Sequence, residues 1–201
     1  MLSVNELTCS RGERALFRDV SFDLKPGTWL QVGGPNGVGK TTLLRTLVGL
    51  CAADAGSVFW RGEPVATDVA AYRRESIYLG HPAALKDDLT AVENLRMANA
   101  LDGFPIPVAT ATTALRRMGL QARSGLPARV LSAGQRRRTL LARLLVRPAK
   151  LWVLDEPFAA LDGDAALEVT ELLRAHVAGG GIAVLTSHQP VPLVGGSVLA
   201  L

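Results

Sequence analysis

Gly34-Pro35-Asn36-Gly37-Val38-Gly39-Lys40-Thr41 is the stretch that decides how this chain is read. Gly34 and Gly39 stand with four residues between them, and a Lys and a Thr follow, which is the phosphate-loop pattern. Polyphosphate needs many donors at close range. Glycines let the backbone bend so that successive N–H groups converge with no side chain in the way. In such a loop Lys40 puts a positive charge on the β- and γ-phosphates, and Thr41 offers a hydroxyl to Mg²⁺. The helix that opens behind it adds unpaired N–H groups and the positive end of its dipole. The surroundings agree: Trp29-Leu30-Gln31-Val32 reads as a strand entering the loop, and Leu43, Leu44 and Leu47 give the next helix an apolar stripe. A site for a nucleotide triphosphate is the expectation, since a glycine-rich turn would fit the pattern by accident in roughly one chain in a hundred of this length.

Composition narrows the class. The 201 residues can bury a full core, and 48% hydrophobic with 20% charged residues describes a globular chain rather than a disordered one. No apolar run approaches the length of a membrane span, and the N-terminus lacks the charged head and apolar core of a signal peptide. The expectation is a soluble, cytoplasmic protein. Cys9 and Cys51 have neither metal-ligand spacing nor the density of a disulfide framework. The net charge of +4 and pI near 9.5 would suit nucleic acid or an anionic membrane surface. However, the arginines are scattered, with Arg136-Arg137-Arg138 the only run of three, so charge alone selects no partner.

Upstream of the loop, Val20, Phe22 and Leu24 alternate with polar residues up to the Pro26-Gly27 turn, and Leu2 and Val4 precede them, which predicts an antiparallel β region. Downstream, Val58-Phe59-Trp60 and Ile77-Tyr78-Leu79 read as short strands, the latter ending at Gly80-His81-Pro82. Helical character follows. Thr90-Ala91-Val92-Glu93 has the form of a capping box, Pro107 can open a helix and Gly119 can close it. A helical sub-lobe from about residue 83 to 147 is expected, its last helix starting at Ser132-Ala133-Gly134-Gln135 and running to Pro148. Strand returns at Leu151-Trp152-Val153-Leu154. A helix with Val169, Leu172, Leu173 and His176 on one face then leads through Gly179-Gly180-Gly181 to a strand at Ile182-Ala183-Val184-Leu185. Alternating strands and helices after residue 29 imply an α/β fold with a mainly parallel core sheet, in one domain spanning residues 1–201.

Asp155 and Glu156 follow an apolar strand, so both carboxylates stand at the carboxyl end of the sheet, where α/β folds bind ligands. In P-loop nucleotidases an Asp here holds the Mg²⁺ shell. The adjacent Glu156 can polarise an attacking water, worth on the order of 10²- to 10⁴-fold in rate. At Ser132 to Gln135 the plain reading is a helix N-cap, and the sharper one a second phosphate site, since a Ser hydroxyl, the bare Gly134 backbone and a helix N-terminus together favour an anion.

Gly34 to Thr41, Leu131 to Gln135, Leu151 to Glu156, Ala160-Leu161-Asp162 and Thr186-Ser187-His188 occur in the order found in nucleotide-binding domains of ABC transporters, and the resemblance spans nearly the whole chain. It implies a P-loop NTPase of ABC ATPase type that binds ATP with Mg²⁺ and hydrolyses it. Lys40, Thr41 and Thr42 match the Walker A residues, Asp155 the Walker B aspartate and Glu156 the catalytic glutamate. His188 matches the switch histidine that contacts the γ-phosphate. Ser132, Gly134 and Gln135 match the signature motif, which in this family completes the site of the opposite subunit, so the resemblance implies a homodimer that sandwiches two ATP molecules. Asp162 falls in the loop linking the two sites. Two positions depart from the pattern. His81 stands where the family has the Gln of its Q-loop, and an imidazole can supply one hydrogen bond to the γ-phosphate or the water. Arg11 occupies the approximate place of the aromatic that stacks on adenine, which a guanidinium plane can also do. The bland readings are a surface Arg there, an ordinary late-helix His176 whose partly positive ring suits the dipole, and a solvated or partner-facing side for Arg136 to Arg138, with docking near acidic headgroups a further use for them.

Gly80-His81-Pro82, Leu-Ser-Ala-Gly-Gln followed by arginines, Leu151-Trp152 leading into Asp155-Glu156-Pro157-Phe158, and Thr186-Ser187-His188-Gln189 look like one subfamily, the ATP-binding subunits of haem exporters in bacterial cytochrome c maturation. That resemblance implies a peripheral protein on the cytoplasmic face of the inner membrane, bound to integral membrane subunits. No direct haem site is read, there being no Cys-x-x-Cys-His. The alternatives are the ATPase of another ABC transporter, and a soluble ABC ATPase acting on ribosomes or nucleic acid. The latter is disfavoured because such proteins usually carry tandem nucleotide domains or a long coiled-coil insertion.

Overall fold

Strand and helix on either side of the phosphate loop are built from their own side chains. Leu30 and Val32 are buried before it, and Leu43, Leu44 and Leu47 are fully buried after it, each worth about 1.5–3 kcal/mol relative to exposure. The computed structural model describes residues 1–81, 84–188, 191 and 193–201. Pro82, Ala83 and Gln189, quoted above in motifs or as a boundary, lie outside the described residues. Among those described, the elements run β1 (Leu2–Arg11), β2 (Arg14–Leu24), β3 (Trp29–Gly33), α1 (Lys40–Leu47), β4 (Ala55–Trp60), β5 (Glu63–Pro64), α2 (Val69–Glu75), β6 (Ser76–Leu79), α3 (Ala91–Leu101), α4 (Val108–Arg117), α5 (Ala133–Leu141), α6 (Arg143–Val146), β7 (Leu151–Leu154), α7 (Gly163–Ala178), β8 (Ile182–Thr186) and β9 (Ser197–Ala200). The chain divides into a first unit of Met1–Tyr78, Ala149–Glu156 and Arg174–Leu201, and a second of Leu79–Pro148 and Pro157–Leu173.

In the first unit the antiparallel sheet has the order β2-β1-β4-β5, and the other sheet has the order β6-β7-β8-β3-β9. In the latter, β3 runs parallel to β8 and β9, and β7 parallel to β8. The expected N-terminal antiparallel region and parallel core sheet are both present. One strand changes sheet relative to the sequence reading: β4, which follows α1, pairs antiparallel with β1, Leu2 opposite Trp60 and Val4 opposite Val58. Its residues explain this. Ala55, Gly56 and Ser57 are small and exposed, whereas all four residues of β7 are buried, and a strand covered on both faces needs such a continuous apolar run. Leu2, Val4 and Leu7 of β1, Leu43 of α1, Val153 of β7 and Val184 of β8 belong to one buried apolar cluster.

In the second unit, local signals set the helices. Thr90 and Glu93 form a reciprocal capping box at the start of α3, Pro107 precedes α4, and Gly119, at φ +71°, follows its end. Buried Asn94 fixes the approach to α3, accepting from Lys86 N–H and donating to the carbonyls of Lys86, Leu89 and Thr90. The helix expected to run from Ser132 to Pro148 is instead two. α5 ends at Leu141 and α6 starts at Arg143, because the Leu145 N–H reaches back only three residues to the Ala142 carbonyl, tightening the turn there. Leu95, Leu115, Leu120 and Leu141 fill the interior of this unit.

Candidate functional site

The phosphate loop leaves β3 and closes onto α1 through Gly39, which caps the helix at φ +115°. A Cβ there would stand 2.9 Å from Leu16 Cβ and 3.0 Å from the Phe17 ring on β2, so both conformation and space call for glycine. The first intrahelical bond runs from Leu43 N–H to Gly39 O at 2.8 Å. No carboxylate stands in the first turn of α1, which leaves its N-terminal amides directed at an incoming anion. Lys40 Nζ arches back over the loop, donating to the carbonyls of Gly34 at 2.7 Å and Pro35 at 3.0 Å. Gly34, Pro35, Asn36 and Gly37 are exposed, and Val38 and Thr42 are half-buried.

Asp155, 3% exposed, sits just past β7 and is bonded from two sides. Thr41 Oγ1 donates to one carboxylate oxygen and Thr186 Oγ1 to the other, each at 2.8 Å. The Thr186 hydroxyl in turn accepts the Glu156 N–H at 2.8 Å. Glu156 holds φ +50°, a left-handed conformation that costs a non-glycine residue on the order of 1–3 kcal/mol and is found at sites where surrounding bonds over-determine it. Its carboxylate lies 3.5 Å from His188 Nε2. Burial pushes the Tyr78 phenol above its ordinary range, and the Asp155 charge adds to the effect. Phosphate loop, Asp155, Glu156 and His188 therefore stand at the carboxyl ends of β3, β7 and β8, adjacent strands of one sheet.

Thr186 is the functional residue that sequence reading did not single out. Its signal was its place at the end of a wholly apolar strand two residues before His188. Thr41 and Asp155 offer hard oxygens side by side, while no cluster of three or more His, Cys, Asp or Glu gathers among the described residues. Such a pair suits a cation that completes its shell with phosphate and water, as Mg²⁺ does.

Arg11 closes the β1–β2 hairpin, opposite Arg14 and beside Gly12, and is exposed. It belongs to the same hairpin whose Leu16 and Phe17 meet Gly39.

The remaining sequence-selected residues lie in the second unit. Ser132 and Gln135 cap α5 reciprocally: Ser132 Oγ accepts from Gln135 N–H at 3.2 Å and Gln135 Oε1 from Ser132 N–H at 3.0 Å. Gly134 faces the backbone of Ala160 so closely that a Cβ would lie 2.6 Å from the Ala160 carbonyl oxygen. Asp162 accepts from Ala165 N–H at the start of α7, and lies 3.8 Å from Arg138. His81 is exposed and follows Gly80. The arginine run is corrected by the structure: it is no solvated face. Arg136 pairs with Asp87 and the Ala128 carbonyl, Arg137 is buried against the Gly80 carbonyl, and Arg138 turns to Asp162. His176, in the first unit, is also different from its reading. Its ring stacks on Trp152 at 3.9 Å and 8°, with Nε2 3.1 Å from Ile182 O, and burial lowers its pKa, which disfavours the positive ring.

Residues 17–159 match the family model described as ABC transporter. The cytochrome c biogenesis ATP-binding export protein CcmA of Nitrosomonas europaea is 50% identical over 189 residues, covering 94% of this chain and 89% of that protein. Among solved structures, an ATP-binding subunit of an ABC transporter superposes with a TM-score of 0.80 at 27% identity, covering 94% of this chain and 80% of that one. A dimeric ATP-binding cassette in a post-hydrolysis state with ADP and Pi superposes with a TM-score of 0.83 at 22% identity, covering 94% and 88%.

Proposed function

The chain belongs to the ABC transporter family, and on that premise we propose that it binds and hydrolyses ATP as the energy-supplying subunit of an exporter in cytochrome c biogenesis. The observation that carries the chemistry is the bonded set Thr41–Asp155–Thr186–Glu156 beside the phosphate loop. In this reading the loop amides and Lys40 hold the β- and γ-phosphates. Thr41 and Asp155 would hold Mg²⁺, which neutralises charge on the phosphates when bound. Glu156 takes a proton from water as its oxygen bonds to the γ-phosphorus and the bond to the ADP oxygen breaks, giving ADP and phosphate. His188 stands beside that carboxylate to donate to a γ-phosphate oxygen. The fixed Glu156 backbone keeps the carboxylate from drifting by the ångström that would cost on the order of 10²-fold.

Two copies form the working unit in this reading, with Ser132, Gly134 and Gln135 of each serving the nucleotide of the other, and Asp162 between. What supports this is motif order and a dimeric structural neighbour. Arg11 is assigned to adenine, and His81 to coupling with the membrane subunits. No helix among the described residues is long and apolar enough to cross a membrane, so attachment at the cytoplasmic face of the inner membrane would run through integral membrane partners. Hydrolysis would drive haem export, or release of a haem-loaded chaperone. The name of the Nitrosomonas europaea relative supports export in cytochrome c biogenesis; the haem cargo rests on the sequence resemblance.

Gentle detergent purification from the protein's own membranes tests the assignment. Co-purification with small polytopic proteins and haem absorbance is expected. The polytopic subunits of a different transporter, or ribosomes, in its place would leave the ATPase chemistry standing and overturn the cytochrome c reading.

A further inference from the structure

Arg137 is a cation at a helix position whose neighbours Thr139, Leu140 and Leu141 are all buried. It is 3% exposed and donates from Nη1 to the Gly80 carbonyl oxygen at 2.8 Å. Removing a guanidinium from water is costly unless its donors meet fixed acceptors, and an apolar side chain of similar volume would fill the space without that cost. The acceptor is the residue immediately before His81. One buried charge-assisted bond thus ties the backbone of Gly80-His81 to the helix whose first turn holds Ser132, Gly134 and Gln135. The same helix is fixed at two other points. Gly134 lies against the Ala160 backbone, and Arg138 faces Asp162. Its Ser132–Gln135 capping box leaves the first turn little freedom of its own, so what Arg137 does to α5 is transmitted to Ser132 and Gly134.

We propose that Arg137 is a positioning residue that sets the presentation of Ser132 and Gly134 to the nucleotide of a second copy according to the placement of Gly80 and His81. The inference rests on the dimer reading given above. It assigns a role to a buried side chain, 3% exposed. Arg137 acts on the second copy's site through the orientation of α5, in the range where a misplacement of about 1 Å costs about 10²-fold in rate.

The test uses the full chain carrying Glu156→Gln, with and without Arg137→Gln or Arg137→Lys. Affinity for a fluorescent ATP analogue, ATP-driven dimerisation by sedimentation, and melting temperature are read on each. Arg137→Gln is expected to weaken dimerisation roughly tenfold to a hundredfold, with nucleotide affinity held within about twofold and Arg137→Lys falling between. In chains with native Glu156, the same substitution lowers kcat and leaves KM for ATP in place. A merely structural role would lower the melting temperature and nucleotide affinity together, and that outcome overturns the proposal. If Arg137→Gln does not fold, Arg137→Lys and hydrogen exchange on the Glu156→Gln chain decide it. ATP must then change protection of residues 76–81 and 132–141 over the same concentration range, and separate midpoints overturn the proposal. Should Glu156→Gln alone fail to dimerise with ATP, the sandwich reading fails and this inference with it. If Glu156→Gln dimerises and the double variant dimerises equally well, only this inference fails.

Discussion

His188 and Glu156 face one another past the ends of two neighbouring strands, with imidazole Nε2 3.5 Å from a carboxylate oxygen. The carboxylate is 19% exposed and the imidazole 62%, so the acid stands inside and the histidine toward the opening. In the proposed reaction the acid takes a proton from water and the histidine gives a hydrogen bond to a phosphate oxygen. The acid's position is fixed twice, by its N–H bond to Thr186 and by its left-handed backbone.

Glu156→Gln is expected to lower kcat about 10²- to 10⁴-fold and to leave ATP binding intact, because the amide keeps the volume but is not a base. Phosphate release and equilibrium binding check this. Turnover near the native rate would remove Glu156 from its role.

Thr186→Val removes one hydroxyl that serves two groups, accepting from the Glu156 N–H and donating to an oxygen of buried Asp155. Stability should fall by about 1–3 kcal/mol in urea unfolding, with a loss of kcat, and Thr186→Ser should restore both. An unchanged unfolding midpoint in the Val variant would show that the bridge contributes nothing.

Gly134→Ala places a methyl group 2.6 Å from the Ala160 carbonyl oxygen, too close for either backbone to stay. Hydrolysis should fall by at least about tenfold, with the affinity of a single chain for ATP unaltered. A variant that hydrolyses normally would mean that the two segments part without consequence.

The Trp152–His176 stack gives stability a pH dependence. Burial lowers the folded imidazole's pKa, with the Lys150 charge adding to the effect and backbone bonds to Ile182 and Lys150 opposing it. The unfolded chain accepts a proton near pH 6.5, where the folded chain resists it. This contribution is therefore complete above about pH 6.5 and is lost as pH falls through the lower, folded value. His176→Gln should flatten the slope of urea midpoint against pH below about 6.5. Equal slopes in the two chains would exclude His176 as the cause.

What the sequence discloses is what is local. The strand, loop and helix around Lys40, and the capping boxes at Thr90 and Ser132, depend on residues within a few positions of one another, and each forms where expected. Asp155 and Glu156 are legible because an apolar strand announces its own end. Thr186 is not, since its bonds to Asp155 and Glu156 join residues 31 and 30 positions apart in the chain. Arg137 reads as surface because charge usually is, and the acceptor that helps make its burial tolerable comes from Gly80, 57 residues earlier in the chain. The composition of β4 argues against a strand covered on both faces, but the choice of β1 as its partner, and the pairing of β9 with β3, are long-range choices that no local pattern encodes.

The four passages of the chain between its two units, after Tyr78, Pro148, Glu156 and Leu173, fix what cutting can achieve. A nick anywhere from residue 79 to 173 yields two fragments, each carrying pieces of the first unit. No single cleavage or truncation point can therefore deliver one unit whole and free of residues of the other. Fragment complementation at such a nick would demand reassembly of both.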